Sequence, residues 1–304
     1  MYDLIIIGGG PAGLAAAVYA ARKLLKTLLI AGDIGGQVNL TMGVENYLGY
    51  QFIEGRELIT KFQQQVDQFP IDQKIGPKVT RVQKIDGGFE VTADSGDTYQ
   101  GKAVLYATGK RPRRLNVPGE TEFTGRGVTY CAICDGPIFS GQRVAVIGGG
   151  NSALEAALDI VKIAEWEELI SLTPLTGDPI LIEKLSDAKN LTVFLEHQVE
   201  RVNGKDLVTG ITVKDLRTQE SKDLDVTGVF IEIGLEPNSD PLKGLAPLND
   251  TGEVIVTCSS ETGVPGLFAA GDVTTVPEKQ IVVAAGEGAK AALQAHRYLQ
   301  RLAR

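Results

Sequence analysis

Two of the three cysteines in this 304-residue chain stand as Cys131-Ala-Ile-Cys134, followed at once by Asp135 and Gly136. Two thiols at this spacing either join a metal site or close a small disulfide ring. A tetrahedral zinc site needs four ligands, and the chain offers no second Cys-x-x-Cys and only His197 and His296 to complete one. The pair is therefore read as a redox dithiol. Its interconversion with a disulfide needs a thiolate and a proton carrier, and Asp135 is positioned to supply or accept that proton; its alternative role is that of a turn or helix-capping carboxylate. Cys258 ends the apolar run from Val254 and is expected in a strand, as a small core residue.

A second kind of chemistry is written in glycine. Gly8-Gly-Gly10-Pro11-Ala12-Gly13 follows the apolar run Leu4 to Ile7 and precedes an Ala-rich segment, Leu14 to Arg22. Between a strand and a helix, such glycines permit a tight turn, close approach of a pyrophosphate to backbone N–H groups, and close helix–sheet packing. The arrangement returns at Gly148-Gly-Gly150-Asn151-Ser152-Ala153, ahead of Leu154 to Ile163. Each copy offers a second apolar strand, Thr27 to Ile30 and Glu168 to Leu172. At the end of the first of these, where an acid usually binds ribose, stands Ala31, with Asp33 two residues on. The equivalent point in the second copy is Ser171, neither the acid that takes the 2′-hydroxyl of NAD nor the arginine that takes the 2′-phosphate of NADP. The first copy is read as a dinucleotide site. The second is a phosphate turn that serves NADH, NADPH, another ligand or none.

These patterns require an α/β chain with two doubly wound, Rossmann-like sheets. Short strands separated by Gly-rich turns add a small antiparallel meander to each: Lys78 to Lys84, Gly88 to Ala93 and Tyr99 to Gly101 in one, and Val199 to Val202, Val208 to Lys214 and Ser221 to Asp225 in the other. Lys110 to Pro118 and Leu235 to Gly244 read as linkers. With 30 Lys and Arg against 38 Asp and Glu, a net charge of -8 argues against a nucleic-acid or anionic-membrane binder. Apolar stretches such as Gly13 to Ala21 fall well short of a membrane span, and three cysteines behind an N-terminus that enters a strand directly indicate a reducing, cytoplasmic setting. Trp166 is expected in packing.

A disulfide between two dinucleotide folds calls for an intermediary that carries electron pairs, and a flavin is the obvious one. Gly8 to Gly13, Gly35-Gly36-Gln37, Ala107-Thr108-Gly109, Cys131 to Gly136, Gly148 to Ala153 and Phe268-Ala-Ala-Gly271-Asp272 together resemble the low-molecular-weight thioredoxin reductases, in the same order and over nearly the whole chain. The resemblance implies FAD on the first fold, with pyrophosphate at Gly8, Gly10 and Gly13 and further contacts at Gly36, Gln37 and Asn46. It implies Asp272 on the ribityl chain, and Lys279, Gln280 and Ile281 beside the isoalloxazine at a helix start, where positive partial charge favours the reduced ring. It also implies a homodimer, with Cys134 the sulfur nearer the flavin. The FAD domain is expected to be discontinuous, 1–112 and 245–304, around an inserted NAD(P)-binding-like domain, 113–244, that carries the cysteines and rotates about two linkers. Thr274 to Val283 is also similar to the reductase component of bacterial alkyl hydroperoxide reductase, which carries a further N-terminal thioredoxin-like part; this chain starts directly on the first fold, so thioredoxin is the expected partner.

One departure bears on the electron donor. NADPH-dependent members carry a His-Arg-Arg cluster where this chain has Ser171-Leu-Thr-Pro-Leu-Thr-Gly. Members without it resemble ferredoxin-dependent flavin thioredoxin reductases. Ferredoxin is thus expected over NAD(P)H, with Lys110, Arg111, Arg113 and Arg114 as a docking patch for an acidic carrier or, alternatively, a solvated linker. Arg126 resembles a position that contacts thioredoxin. The reading is a flavin-dependent thioredoxin reductase working through FAD and Cys131–Cys134. Its alternatives are an NADH- or NADPH-driven reductase, including one serving a peroxidase partner, and a non-catalytic flavin redox sensor.

Overall fold

A computed structural model describes residues 1–41 and 43–302. The chain opens with β1 (Tyr2–Gly9), α1 (Pro11–Arg22), β2 (Thr27–Ile34), α2 (Gly55–Val66), β3 (Asp72–Ile75), β4 (Val79–Ile85), β5 (Gly88–Ala93), β6 (Thr98–Tyr106) and β7 (Lys110–Pro112). It continues through β8 (Val128–Thr129), α3 (Ala132–Asp135), β9 (Arg143–Ile147), α4 (Asn151–Ile160), β10 (Trp166–Ser171), α5 (Pro179–Ser186), β11 (Leu191–Leu195), β12 (His197–Gly204), β13 (Val208–Asp215), β14 (Ser221–Leu224) and β15 (Gly228–Ile231). It ends with β16 (Leu235–Pro237), β17 (Leu267–Ala269) and α6 (Ile281–Leu302).

Two compact units result. The first comprises Met1–Asn39, Arg56–Arg111 and Glu236–Arg304, the second Leu40–Gly55 and Pro112–Leu235. The second crossing of the chain thus falls at 235/236 rather than at 244/245, because Asn238 binds back to the first unit: its N–H and side-chain amide donate to the carbonyls of Gly109 and Thr108. Residues 40–55 join the second unit, which sequence periodicity does not signal. The two expected linkers are themselves strands, β7 and β16, paired as a two-stranded sheet.

In the first unit the sheet runs β3-β2-β1-β6-β5-β4, with β17 also on β6. The alternation along β1 explains its two layers. Leu4 and Ile6 face one core with the alanines of α1 and α6, while Ile5 and Ile7 face another with Val82, Phe89 and Val254. Each such side chain contributes about 1.5–3 kcal/mol on burial. The expected meander is not a separate insert. β6 extends far beyond Tyr99 to Gly101; its first half pairs antiparallel with β5 and its apolar second half parallel with β1. In the second unit the parallel sheet runs β11-β10-β9-β15-β8, and β12-β13-β14 forms a separate antiparallel sheet. Trp166 begins β10, its indole N–H donating to Thr192 Oγ1 at 3.0 Å. Cys258 departs from expectation: it lies exposed in a turn, closed by Ser260 N–H on the Thr257 carbonyl. Among the described residues no helix is long and apolar enough to cross a membrane.

Helices α1 and α6 meet at backbone distance, since a Cβ added at Gly288 would lie 1.9 Å from the Ala12 carbonyl oxygen. Overpacking of this kind costs about 1–3 kcal/mol. Gly288→Ala is expected to destabilise the protein by that amount, read as a lower urea midpoint, whereas Gly286→Ala, where a Cβ meets nothing within 4 Å, should not lower it.

Candidate active site

The disulfide is built at the end of a buried strand. Cys131 leaves β8 in extended conformation and caps α3, its Sγ accepting the Cys134 N–H at 3.3 Å. The two cysteines are joined, with Cα atoms 5.3 Å apart. Asp135 is fully buried and accepts a hydrogen bond from the Thr129 hydroxyl, whose oxygen in turn accepts the Cys131 N–H at 3.2 Å. A carboxyl, a hydroxyl and the half-cystine backbone thus form one chain, which gives the expected proton carrier a fixed place. Thr129 was not evident from sequence, where a threonine at a strand end is unremarked. Nor was Glu232, just beyond β15, whose Oε1 accepts the Ala132 N–H at 3.2 Å. Burial pushes the Glu232 carboxyl up to about 7, against the effect of that amide. Ile133, between the cysteines, is exposed.

The first glycine loop is an open anion cradle. Gly10 caps α1 without any side-chain hydrogen bond and Pro11 occupies the first turn, so the helix N-terminus is left to backbone N–H groups. Gly8 has φ +116°, and a Cβ on Gly13 would lie 1.8 Å from its carbonyl oxygen. A Cβ at Gly10 meets nothing within 4 Å, and the nearest atom to one at Gly36 is the Gly10 Cα. Asp33, displaced from the usual acid position, accepts the Gly36 N–H at 3.0 Å. Ala107-Thr108-Gly109 follows β6 beside this loop: a Cβ on Gly8 would run into the Ala107 carbonyl. Thr108 Oγ1 and Tyr106 Oη donate to the Asn238 carbonyl at 2.9 and 2.7 Å, a clasp not legible in sequence. Gly271 lies against Ala12, and Gln37 Nε2 donates to Asp272 Oδ2 at 3.3 Å.

Lys279 and Gln280 precede α6, which begins at Ile281. Lys279 Nζ donates to the Thr274 carbonyl at 2.6 Å and pairs with Glu253 at 3.1 Å, while Lys110 pairs with the same carboxylate at 2.6 Å. Burial opposes the Glu253 charge, yet hydrogen bonds from Lys110, Asn249 and Lys279 hold it down to about 2. Burial pushes the Asp272 carboxyl up, opposed by the charges of Lys279 and Lys110. The uncapped cradle, the buried acceptor Asp272 and the cation at the start of α6 suit a dinucleotide with a polyol chain and an electron-accepting ring. Asn46 lies in the segment 40–55, within the second unit.

The docking patch expected for an acidic carrier is not a free basic surface. Lys110 is tied to Glu253, Arg111 reaches Glu236 at 3.0 Å and Asn238 at 2.9 Å, and Arg114 lies over the Tyr130 ring. Arg113 is also engaged, and its N–H donates to the Gly234 carbonyl. Arg126 is exposed in the turn that leads into β8.

The second glycine loop repeats the first with different trim. Gly150 caps α4 without a side-chain bond. Ser171 is buried against it, its Oγ 2.3 Å from where a Cβ on Gly149 would lie, so this point offers a hydroxyl rather than a carboxylate or guanidinium. The segment after β10 folds back, with Thr176 N–H on the Gly149 carbonyl at 2.7 Å. Asp178 is held by Asn151, which donates to its carboxylate at 3.2 Å and accepts its N–H at 2.7 Å. Ser152 is exposed and Ala153 buried under the loop.

This pairing of two glycine loops with a buried-acid disulfide agrees with what comparison finds: residues 2–288 match the family described as pyridine nucleotide-disulphide oxidoreductase, and the chain belongs to it. The solved thioredoxin reductase of Streptococcus pyogenes is similar over 99% of both chains, with 35% identity and a TM-score of 0.93, and that of Giardia duodenalis over 98% of this chain and 99% of the other, with 30% and 0.89. The F component of the alkyl hydroperoxide reductase of Pseudomonas putida is 46% identical over 99% of this chain, and its Staphylococcus aureus counterpart 42%. The chain spans 58% and 59% of the length of those two relatives. The chain is thus a pyridine nucleotide-disulphide oxidoreductase family member with the fold of the thioredoxin reductases.

The Glu253 ion pairs give a pH signature. Its carboxyl titrates near 2 when folded, below the ordinary 4.5, so the stability it brings is present above about pH 4.5 and is lost as pH falls toward 2. Glu253→Gln leaves two lysines unpaired and is expected to cost about 3 kcal/mol at pH 7. Urea midpoints measured from pH 7 to 3 should fall less steeply on the acid side in the variant.

Proposed function

We propose that the protein passes electron pairs from NADH through FAD and the Cys131–Cys134 disulfide to the disulfide of a thioredoxin-type protein. The observation that carries this reading is the disulfide itself, held one hydrogen-bond chain away from the buried Asp135 in a fold with two phosphate cradles. Bound FAD would be held by the Gly8 to Gly13 loop, Gln37, Asp272 and the start of α6, and supplies two-electron chemistry. Reduction of the Cys131–Cys134 bond takes up two electrons and, at sulfur, one proton, leaving one thiol and one thiolate. Asp135, fixed by Thr129, delivers a proton to the released sulfur. A thiolate of the pair then attacks a sulfur of the partner's disulfide to form a mixed disulfide. The second thiol displaces the partner as a dithiol and restores the Cys131–Cys134 bond. The exposed Ile133 between the cysteines offers the partner an apolar contact, and Arg126 a charged one.

Two observations favour NADH over the other donors. The uncapped α4 N-terminus is open to a phosphate, while Ser171 supplies no guanidinium for a 2′-phosphate. In the basic cluster Lys110 and Arg111 are charge-paired with Glu253 and Glu236, which lowers the net positive charge offered to an acidic carrier. Service to a peroxide-reducing system is a second reading, favoured by the relatives named as alkyl hydroperoxide reductase components.

Anaerobic absorbance of the yellow protein tests the donor: NADH should bleach the flavin fastest, NADPH poorly, and bleaching by photoreduced ferredoxin alone would refute the NADH assignment. Parallel assays of thioredoxin and of a peroxiredoxin decide the partner. Asp135→Asn should retain the disulfide and FAD but lose about 10²–10⁴-fold in turnover, and Cys134→Ser should abolish partner reduction altogether.

A further inference from the structure

Glu232 takes no part in the mechanism above, yet it sits on the redox motif. Its Oε1 accepts the N–H of Ala132, the residue directly after Cys131, while Cys131 Sγ accepts the N–H of Cys134. The two groups therefore share one short stretch of backbone. Glu232 also lines the second glycine loop, since a Cβ on Gly148 would lie 2.4 Å from its carbonyl oxygen.

We propose that Glu232 is the second proton-holding group of the disulfide: when the Cys131–Cys134 bond takes up two electrons, Glu232 accepts one of the two accompanying protons while Asp135 delivers the other to sulfur. The products balance. The S–S bond becomes one thiol and one thiolate, and the second proton resides on the Glu232 carboxyl. The thiolate is the nucleophile for the partner's disulfide, and the stored proton leaves with the partner's released thiol or to solvent.

The physical reason is repulsion at short range. A thiolate and a carboxylate on one strand-to-helix junction repel, so each disfavours the charged form of the other. They then titrate as a coupled pair rather than singly. Glu232 starts from a state suited to this exchange, because burial already pushes it up to about 7. The titratable and charged groups on the elements around it are Tyr130, Cys131, Cys134 and Asp135 along β8 and α3, and Arg113, whose N–H binds the Gly234 carbonyl. The turn from Gly148 to Asn151 carries none. The position of the Glu232 carboxyl is set by burial and by the Ala132 amide.

The inference rests on redox cycling of the disulfide and not on the donor or partner, so its test uses neither. FAD-loaded protein is reduced with dithiothreitol, freed of it anaerobically, and alkylated with iodoacetamide from pH 5.5 to 9.5. The wild type should show a two-step rate profile. Glu232→Gln keeps the acceptor for the Ala132 N–H and should show one step, displaced down by about one pH unit, with about tenfold more thiolate near pH 7. A second variant covers failure of the first to fold. Ala132→Pro removes the N–H donor at the first helical position, where proline is tolerated, after a residue already extended at φ -144° and ψ 97°. It should move the lower step upward. Superimposable profiles for wild type and Glu232→Gln, or unmoved steps in Ala132→Pro, overturn the proposal. Failure to reduce thioredoxin with NADH would leave these profiles intact and count only against the proposed donor and partner.

Discussion

The structure of the first unit depends on one steric constraint, the meeting of backbones around the N-terminus of α1. Gly13 closes on the Gly8 carbonyl and Gly288 on the Ala12 carbonyl, each at a distance that a methyl group would violate. These two approaches place α1 against both the sheet and α6. They also explain the alanines at 16, 17 and 20 in α1 and at 291, 292 and 295 in α6, all buried at the same junction. A helix drawn this close to the sheet presents its N–H groups at the ends of β1 and β2, where no side chain competes for them. The anion site is thus a by-product of packing.

The two units manage charge in opposite ways. In the first, charge is fixed: Glu253 remains ionised between Lys110 and Lys279, so the cations beside Asp272 are partly neutralised and held in place. In the second, two buried acids are held toward the neutral form. Glu167, wholly buried on β10, is pushed up to about 9 by burial, and Glu232 up to about 7. Electrons need a stationary electrostatic frame, whereas dithiol chemistry must move protons with them. A division of labour along these lines follows from where the chain buries its ion pairs and where it buries lone carboxyls.

Local pattern carried much of this into view from the residues alone. The strands before each glycine loop, the helices after them and the cysteine pair depend on neighbours within a few residues, and β5 occupies the very span its alternation indicates. Groups contributed from a distance were not legible. Thr129, Glu232, Asn238 and Glu253 gain their roles only through partners brought together by the sheet, and an isolated acid or threonine carries no periodic signal. Cys258 failed for the converse reason: its apolar neighbours suggest a strand, but Val254 forms only isolated bridges and the chain turns at Ser260. The basic run from Lys110 to Arg114 is largely exposed, as its composition suggests, but the counterions of Lys110 and Arg111, at Glu253 and Glu236, lie far along the chain and were not legible.

The two glycine loops show how far a shared backbone underdetermines a ligand. Both leave a helix N-terminus uncapped, and both turn on a glycine in the left-handed half of backbone space. What differs is the wall. In the first, β2 runs on past Ala31 to Ile34 and the chain turns through Gly36, leaving the Gly10 face clear. In the second, Ser171 is pressed into Gly149, and Thr176 and Asp178 fold back over the turn and bind Gly149 and Asn151. Each loop has a carboxylate close by, Asp33 on the Gly36 N–H in the first and Asp178 on the Asn151 amide in the second, so the difference lies in how the following segment folds.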